Sequence, residues 1–204
     1  MLFTTPSGRE LLGIGQKSGV FWTIDPDSGE LVWKTIVGPG GYVGGHMFGA
    51  ATDGVHIYVQ TTNIEHHDVS LVDGTTTNGG YWSCLDAETG KIIWQTSDPS
   101  ADLPLTGSIY IPNLGAGLGP GYLATPQGPL TLANGVVYAG SMDPDGHMYA
   151  MNSDTGEILW SFASGGSVNT APTIINGVLY WGSGYRNGIN NNKFFAFSIP
   201  NEDN

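Results

Sequence analysis

A nine-residue phrase that occurs three times constrains this chain more than any other feature. It reads Asp25-Pro-Asp-Ser28-Gly29-Glu-Leu-Val-Trp33, then Asp86-Ala-Glu-Thr89-Gly90-Lys-Ile-Ile-Trp94, then Asn152-Ser-Asp-Thr155-Gly156-Glu-Ile-Leu-Trp160. The leading Asp or Asn can accept hydrogen bonds from backbone N–H groups two residues on, and the Gly supplies a left-handed residue that ends the turn. Each copy therefore predicts a hairpin turn leading into an apolar strand that carries the Trp. Successive tryptophans lie 61 and 66 residues apart.

A second turn alternates with the first. Asp53-Gly54, Asn134-Gly135 and Asn176-Gly177 are two-residue turn signals, with Ser7-Gly8 a weaker first copy; Gly and Asn tolerate the positive φ that a tight hairpin demands. An apolar run follows each: Leu11-Leu-Gly-Ile-Gly15, His56-Ile-Tyr-Val-Gln60, Val136-Val-Tyr-Ala-Gly140 and Val178-Leu-Tyr-Trp-Gly182. The strand before the Asp position also aligns. Thr23, Cys84, Ala150 and Ala196 are all small, and the next residues, Ile24, Leu85, Met151 and Phe197, are all large. Alternate strand positions face opposite sides, so one face packs closely on a neighbouring sheet and the other fills the space between sheets.

Each repeat thus has four strands, which is one blade of a β-propeller. The predicted fold is all-β, about four four-stranded blades, half of an eight-bladed ring. The blades fall at roughly 1–37, 45–97, 127–163 and 168–204. A blade needs about 40–50 residues, so the longer intervals carry insertions. From the first turn's Gly to the Asp position is 17 residues in the first and third repeats and 32 in the second, the excess lying in 63–80. A Gly/Pro-rich stretch, 101–128, separates the second and third repeats, and a smaller surplus sits at 185–192 in the fourth. The fourth repeat ends before any outer Trp strand, and a repeat array buries its core only through neighbours.

Composition excludes some partners. The formal net charge is −12 with six Lys and Arg in 204 residues, the opposite of the cationic surface that nucleic-acid phosphates require. No run of about 18 apolar residues is present to span a membrane, and the first residues lack the charged and apolar regions of a signal peptide. Cys84 is the one cysteine. It can form no intrachain disulfide and occupies the small core position of its repeat, which reads as packing rather than reactivity.

The three Trp hairpins resemble those of the pyrroloquinoline quinone repeat propellers. Gly15-Gln-Lys17-Ser-Gly-Val-Phe-Trp-Thr-Ile-Asp25 is similar to the quinoprotein alcohol dehydrogenase segment in which a Lys contacts the quinone oxygens. Gly40-Gly-Tyr-Val-Gly-Gly-His-Met-Phe-Gly-Ala-Ala-Thr-Asp53-Gly54 resembles the polyvinyl-alcohol-dehydrogenase-like branch, and Gly166-Ser-Val-Asn-Thr-Ala-Pro172 resembles the last-blade segment. The resemblance places the chain in the C-terminal half of an eight-bladed ring whose last outer strand comes from the N-terminus of the full chain. It implies pyrroloquinoline quinone and calcium in the complete protein, with a small alcohol or polyol substrate. It also implies action outside the cytoplasm, in the periplasm or extracellularly.

The cofactor-binding candidates that follow from the resemblance are Lys17, Met47 and Phe48. A cation beside the quinone carbonyls would stabilise negative charge as hydride arrives; the alternative for Lys17 is a solvent-exposed turn lysine. Met47 and Phe48 stand where the family places a polar–aromatic pair, and their apolar character reads more readily as core packing. His46, a lone His in a Gly-rich turn, is expected to be solvated. His66, His67 and His147 lack metal-ligand spacing and are expected in loops. Asp25, Asp86 and Asn152 are committed to their hairpins, so no catalytic base and no metal ligand is assigned within the chain.

Two functions follow. The first is the C-terminal portion of a quinone-dependent alcohol dehydrogenase-like oxidoreductase, incomplete and inactive on its own. The second is a non-catalytic propeller scaffold for protein–protein interaction, its insertions presented as binding loops. Either requires the other half of the ring or a self-dimer to cover the open blade faces.

Overall fold

A computed structural model of the chain describes residues 1–102, 109–111, 115–118, 125–184 and 192–199. The architecture is a succession of antiparallel sheets, with no α-helix among the described residues. The first sheet is β1 (Leu2–Thr4), β2 (Glu10–Gly15), β3 (Val20–Ile24) and β4 (Leu31–Ile36), adjacent in chain order. The second is β5 (Ala51–Thr52), β6 (His56–Thr61), β9 (Tyr81–Asp86) and β10 (Ile92–Ser97), with the small hairpin β7 (Val69–Ser70) and β8 (Thr76–Thr77) inserted between β6 and β9. A 3-10 turn, Pro99–Asp102, follows, and β11 (Ile109–Ile111) pairs with β12 (Gly115–Leu118). The third sheet is β13 (Thr131–Ala133), β14 (Val136–Gly140), β15 (His147–Asn152) and β16 (Ile158–Ala163). The fourth has three strands: β17 (Thr173–Ile175), β18 (Val178–Ser183) and β19 (Lys193–Ser198). These are the blades of a propeller. The surplus expected at 185–192 lies, but for its last residue, outside the described residues.

The hairpin phrases form as their chemistry requires. Oδ1 of Asp25 accepts from the N–H groups of Asp27 and Ser28, Asp86 does the same for Glu88 and Thr89, and Asn152 for Asp154 and Thr155. Gly29, Gly90 and Gly156 take φ of 73°, 72° and 74°. The two-residue turns divide into two kinds. At Asn134-Gly135 and Asn176-Gly177 both residues have positive φ, and the flanking residues pair directly. At Ser7-Gly8 and Asp53-Gly54 only the Gly does, and the loops are longer: Thr4 pairs with Glu10 and Thr52 with Ile57. Asp53 instead caps its turn, its Oδ1 accepting from Val55 and His56 N–H. Asn134 and Asn176 take the left-handed conformation that Asn tolerates, whereas Asp53 spends its carboxylate on capping and leaves the positive φ to Gly54.

The core lies between sheets. Phe3, Leu11, Phe21 and Val37 of the first blade pack on Ile57, Val59, Leu85 and Ala87 of the second. Tyr58, Trp82, Cys84 and Trp94 pack on Leu130, Val137, Ala139, Tyr149 and Met151 of the third. Position 82 thus faces the third blade and position 85 the first, and β9 is buried on both faces while β3 is buried on alternate residues. The small residues before the hairpins have a specific neighbour. Thr23, Cys84 and Ala150 stand directly across from Trp33, Trp94 and Trp160. A small residue there leaves room for the indole to lie over the sheet. Cys84 is 1% exposed, and burial pushes its thiol up to about 12, so it remains a protonated core residue at neutral pH.

Candidate functional site

In an up-and-down sheet, the first and third turns leave from one end. The second turn and the connection to the next sheet leave from the other. The turn 16–19, the connection 37–50, the insertion 62–80, the segments 98–102 and 125–130 that flank the next connection, and the turn 141–146 therefore share one end of the blades. Lys17 sits there, exposed in the turn between β2 and β3. That turn is clasped by the following connection: Val37 N–H donates to Gly19 O at 2.8 Å, Gly41 N–H to Lys17 O at 3.2 Å and His46 N–H to Gln16 O at 3.1 Å. Lys17 Nζ donates to Tyr42 O at 3.2 Å and lies 5.9 Å from the centre of the Tyr42 ring, within cation–π range. An ammonium has three donors, so the exposed head keeps capacity for an incoming acceptor.

Met47 and Phe48 are carried on the same connection. Met47 is half-buried, but Phe48 is 46% exposed, so Phe48 is a surface aromatic, not the core residue its type suggested. Its carbonyl accepts from Gln60 Nε2 at 3.2 Å, and the same amide reaches Gln127 O at 3.3 Å. Gln60, fully buried at the end of β6, therefore ties the connection before the second blade to the one after it. The structure brings Lys17, Met47 and Phe48 onto two clasped segments at one end of the first two blades.

His46 departs from expectation. It is 4% exposed, its Nδ1 lies 2.6 Å from Gln60 O, and it meets the Phe21 ring edge-on at 6.2 Å. Room for it comes from Gly15, where a Cβ would stand 2.6 Å from the His46 Cβ. Burial lowers its pKa below the ordinary imidazole value, so the ring is neutral at physiological pH. His147 also departs: it is the first residue of β15, with Nδ1 2.9 Å from Asp143 Oδ1. His66 and His67 are in the loop after β6. Among the described residues, no three His, Cys, Asp or Glu side chains form a group that could hold a metal ion.

Three residues that pattern reasoning passed over belong to this end: Tyr42, Gln60 and Glu65. Glu65 Oε1 accepts from Tyr42 N–H at 2.9 Å, and its Oε2 lies 3.2 Å from His67 Nε2. Only Gln60 leaves a trace in sequence, as a polar residue after the apolar run Ile57-Tyr-Val59 of β6. Asp98, directly after β10, is fully buried, and its carboxyl is pushed up to about 6 by burial, against hydrogen bonds from Ser141 and Ser100.

The family model described as outer membrane protein assembly factor BamB, one of the pyrroloquinoline quinone repeat models, matches residues 78–199, more than half of the chain. The chain belongs to the pyrroloquinoline quinone repeat family. Within that family it is similar to the polyvinylalcohol dehydrogenase of a Pseudomonas species, 30% identical over 227 positions that cover 98% of this chain and 32% of that protein. The crystal structure of quinohemoprotein alcohol dehydrogenase from Comamonas testosteroni superposes with a TM-score of 0.56 at 16% identity, over 90% of this chain and 29% of that one. BamB from Moraxella catarrhalis gives 0.52 at 20% identity, over 90% and 46%. These likenesses fix the repeat propeller as the fold. The chain spans about a third of the length of the curated polyvinylalcohol dehydrogenases it matches.

Proposed function

We propose that this repeat propeller is the C-terminal portion of a quinone-dependent, alcohol dehydrogenase-like oxidoreductase acting on a small alcohol or polyol outside the cytoplasm. Near-complete alignment with polyvinylalcohol dehydrogenase carries the reading. The exposed Lys17, clasped at one end of the blades, supports it. When bound, pyrroloquinoline quinone accepts a hydride from an alcohol carbon, with calcium as a Lewis acid. The Lys17 ammonium would hold an anionic edge of that cofactor and stabilise its developing charge, and the exposed rings of Tyr42 and Phe48 at the same end of the blades would supply apolar contact. Met47 backs the same loop. The catalytic base, the calcium ligands and the remaining blades belong to the other two thirds of such a protein's length. The test is reconstitution of the full-length protein with quinone and calcium. A bound-cofactor spectrum and dye reduction with polyols, both reduced by Lys17→Met, are expected; absence of both with the unaltered protein sinks the reading.

A second reading, a non-catalytic scaffold, draws on the family model's own description as an assembly factor. It predicts a stoichiometric protein partner whose binding is unaffected by Lys17→Ala and lost when the 63–80 insertion is shortened.

A further inference from the structure

We infer that Glu65, from the long insertion of the second repeat, is the positioning residue for the Lys17 ammonium, acting through the backbone of Tyr42. This inference rests on the reading of Lys17 as the cofactor-side cation. Both backbone polar groups of Tyr42 are claimed by ionisable side chains from different blades. Its N–H donates to Glu65 Oε1 at 2.9 Å, and its carbonyl accepts from Lys17 Nζ at 3.2 Å. Removing the first anchor frees the residue that supplies the second, together with the ring that lies 5.9 Å from the ammonium.

The carboxylate is delivered by a built loop. Asn63, 1% exposed with φ of 45°, donates from Nδ2 to His67 O at 2.9 Å and Gly79 O at 3.0 Å, and its Oδ1 accepts from His67 N–H at 3.1 Å. His66 N–H closes back on Asn63 O at 3.1 Å. Glu65 thus projects from a short loop held at both ends, and His67 steadies its second oxygen at 3.2 Å. The receiving segment is shaped for it. A Cβ on Gly41 would stand 2.7 Å from Glu65 Oε1, so an alanine there displaces the carboxylate from the place where it meets the Tyr42 N–H. Gly45 in turn lies so close to the backbone of Lys17 and Gly19 that a Cβ there would stand 2.5 Å from Lys17 O. The insertion therefore braces the lysine's platform from the blade beside it.

The experiment uses the full-length protein and three variants: Glu65→Ala, Glu65→Gln, which keeps a carbonyl acceptor for the Tyr42 N–H, and Gly41→Ala, which pushes an intact carboxylate away. Native acylation with acetic anhydride, read by peptide mass spectrometry, gives the modification rate of Lys17 relative to exposed Lys91. Glu65→Ala and Gly41→Ala should raise that ratio about threefold or more, as the ammonium loses its fixed carbonyl acceptor, and Glu65→Gln by less than half as much. Quinone binding should weaken about tenfold in Glu65→Ala and Gly41→Ala and about twofold in Glu65→Gln. A ratio unchanged in the folded Ala variants overturns the inference, whichever of the two folds. If the unaltered protein binds no quinone, the functional reading fails, but the acylation ratio still decides the role of Glu65.

Discussion

The junctions between the first and second blades and between the second and third are fastened alike; among the described residues, the junction between the third and fourth lacks that fastening. Trp33 Nε1 donates to Ala87 O at 3.2 Å and Trp94 Nε1 to Ser153 O at 2.8 Å. In both cases the acceptor is the residue after the Asp or Asn that opens the next blade's hairpin. Two residues beyond each Trp, a Thr hydroxyl donates to the hairpin Gly carbonyl: Thr35 to Gly90 O at 2.6 Å and Thr96 to Gly156 O at 2.8 Å. At the third junction the equivalent positions are Trp160 and Phe162. Trp160 is 36% exposed and stacks on Phe162 at 6.0 Å, with Phe197 edge-on at 5.2 Å. An apolar cleft of about 510 Å³ remains between these blades, bounded by Tyr138, Trp160, Leu179 and Phe197. The Trp hairpin is thus a polar latch backed by a ring where it is complete. Where the Thr is replaced by Phe, the described residues at these positions meet through aromatic contact, and a polar tie between the two blades lies elsewhere, from Thr131 Oγ1 to Pro172 O at 2.6 Å.

The largest difference should come from the rings themselves. Trp94 is 6% exposed inside the core between the second and third blades. Trp94→Ala should cost about 3–5 kcal/mol, the range for deleting a buried Trp, and Trp160→Ala about 1–2 kcal/mol, in proportion to its poorer burial. Urea unfolding of the full-length protein measures both. Equal losses would mean that the third junction is closed as tightly as the others.

The hairpin glycines sharpen the comparison from the receiving side. Gly29, Gly90 and Gly156 have nearly the same φ, so alanine incurs the same left-handed penalty at each, about 1–2 kcal/mol. A hairpin glycine that receives a Trp adds a collision. A Cβ at position 156 would stand 2.6 Å from Trp94 Cε3, whereas one at Gly135, also left-handed with φ of 75°, meets only Ser153 Oγ at 3.8 Å. Gly156→Ala should therefore cost about 2–4 kcal/mol and Gly135→Ala only the backbone share. Comparable denaturation midpoints for the two variants would refute the Trp-on-Gly account of the latch.

These latches were legible in sequence because everything that makes them is local or strictly repeated. The Asp, the Gly and the Trp recur at fixed spacing, and even the smallness of Cys84 and Ala150 reads as a pattern before its partner across the strand is known. The end of the blades that carries Lys17 was legible only in part. His46 looked like a solvated loop residue, since no local signal says that Gly15 opens a space for it across the blade junction. Glu65 gave no signal at all: its contact with Tyr42 joins an insertion to a connection from the preceding blade, and neither obeys the repeat. Phe48 was read by residue type, and type alone does not say which loop residues face water.

Protonation tests the second junction without removing a ring. Asp98 directly follows β10, and the groups facing it are Ser100 on its own turn and Ser141, Asp143 and Tyr149 of the third blade. Its folded carboxyl titrates near 6, above the unfolded value of about 3.9. The native state therefore binds the proton more tightly, and this group's contribution to stability is fully present at low pH and lost as pH rises through 6. Asp25, Asp53, Asp73 and Glu88, whose carboxyls are lowered by their hydrogen bonds, act in the opposite sense but equally in both proteins compared. The unfolding free energy of the unaltered protein minus that of Asp98→Asn should rise by about 1 kcal/mol from pH 7 to pH 5. A flat difference would show that the carboxyl is not held in a dry junction.

The smallest effect isolates the polar half of the latch. Thr96→Val keeps the shape over the hairpin but removes the hydroxyl that donates to Gly156 O, and Thr35→Val does the same at Gly90. Each should cost about 1 kcal/mol, the net value of one hydrogen bond. The two losses should add, because the threonines sit in separate junctions with no shared partner. Valine leaves the carbonyl without its donor, so the full loss is expected even though the side chains match in volume. If either variant is neutral, the indole and its N–H alone fasten the blades. The third junction, which lacks the threonine, would then differ from the others in the bond made by its indole N–H and in how far its ring is exposed.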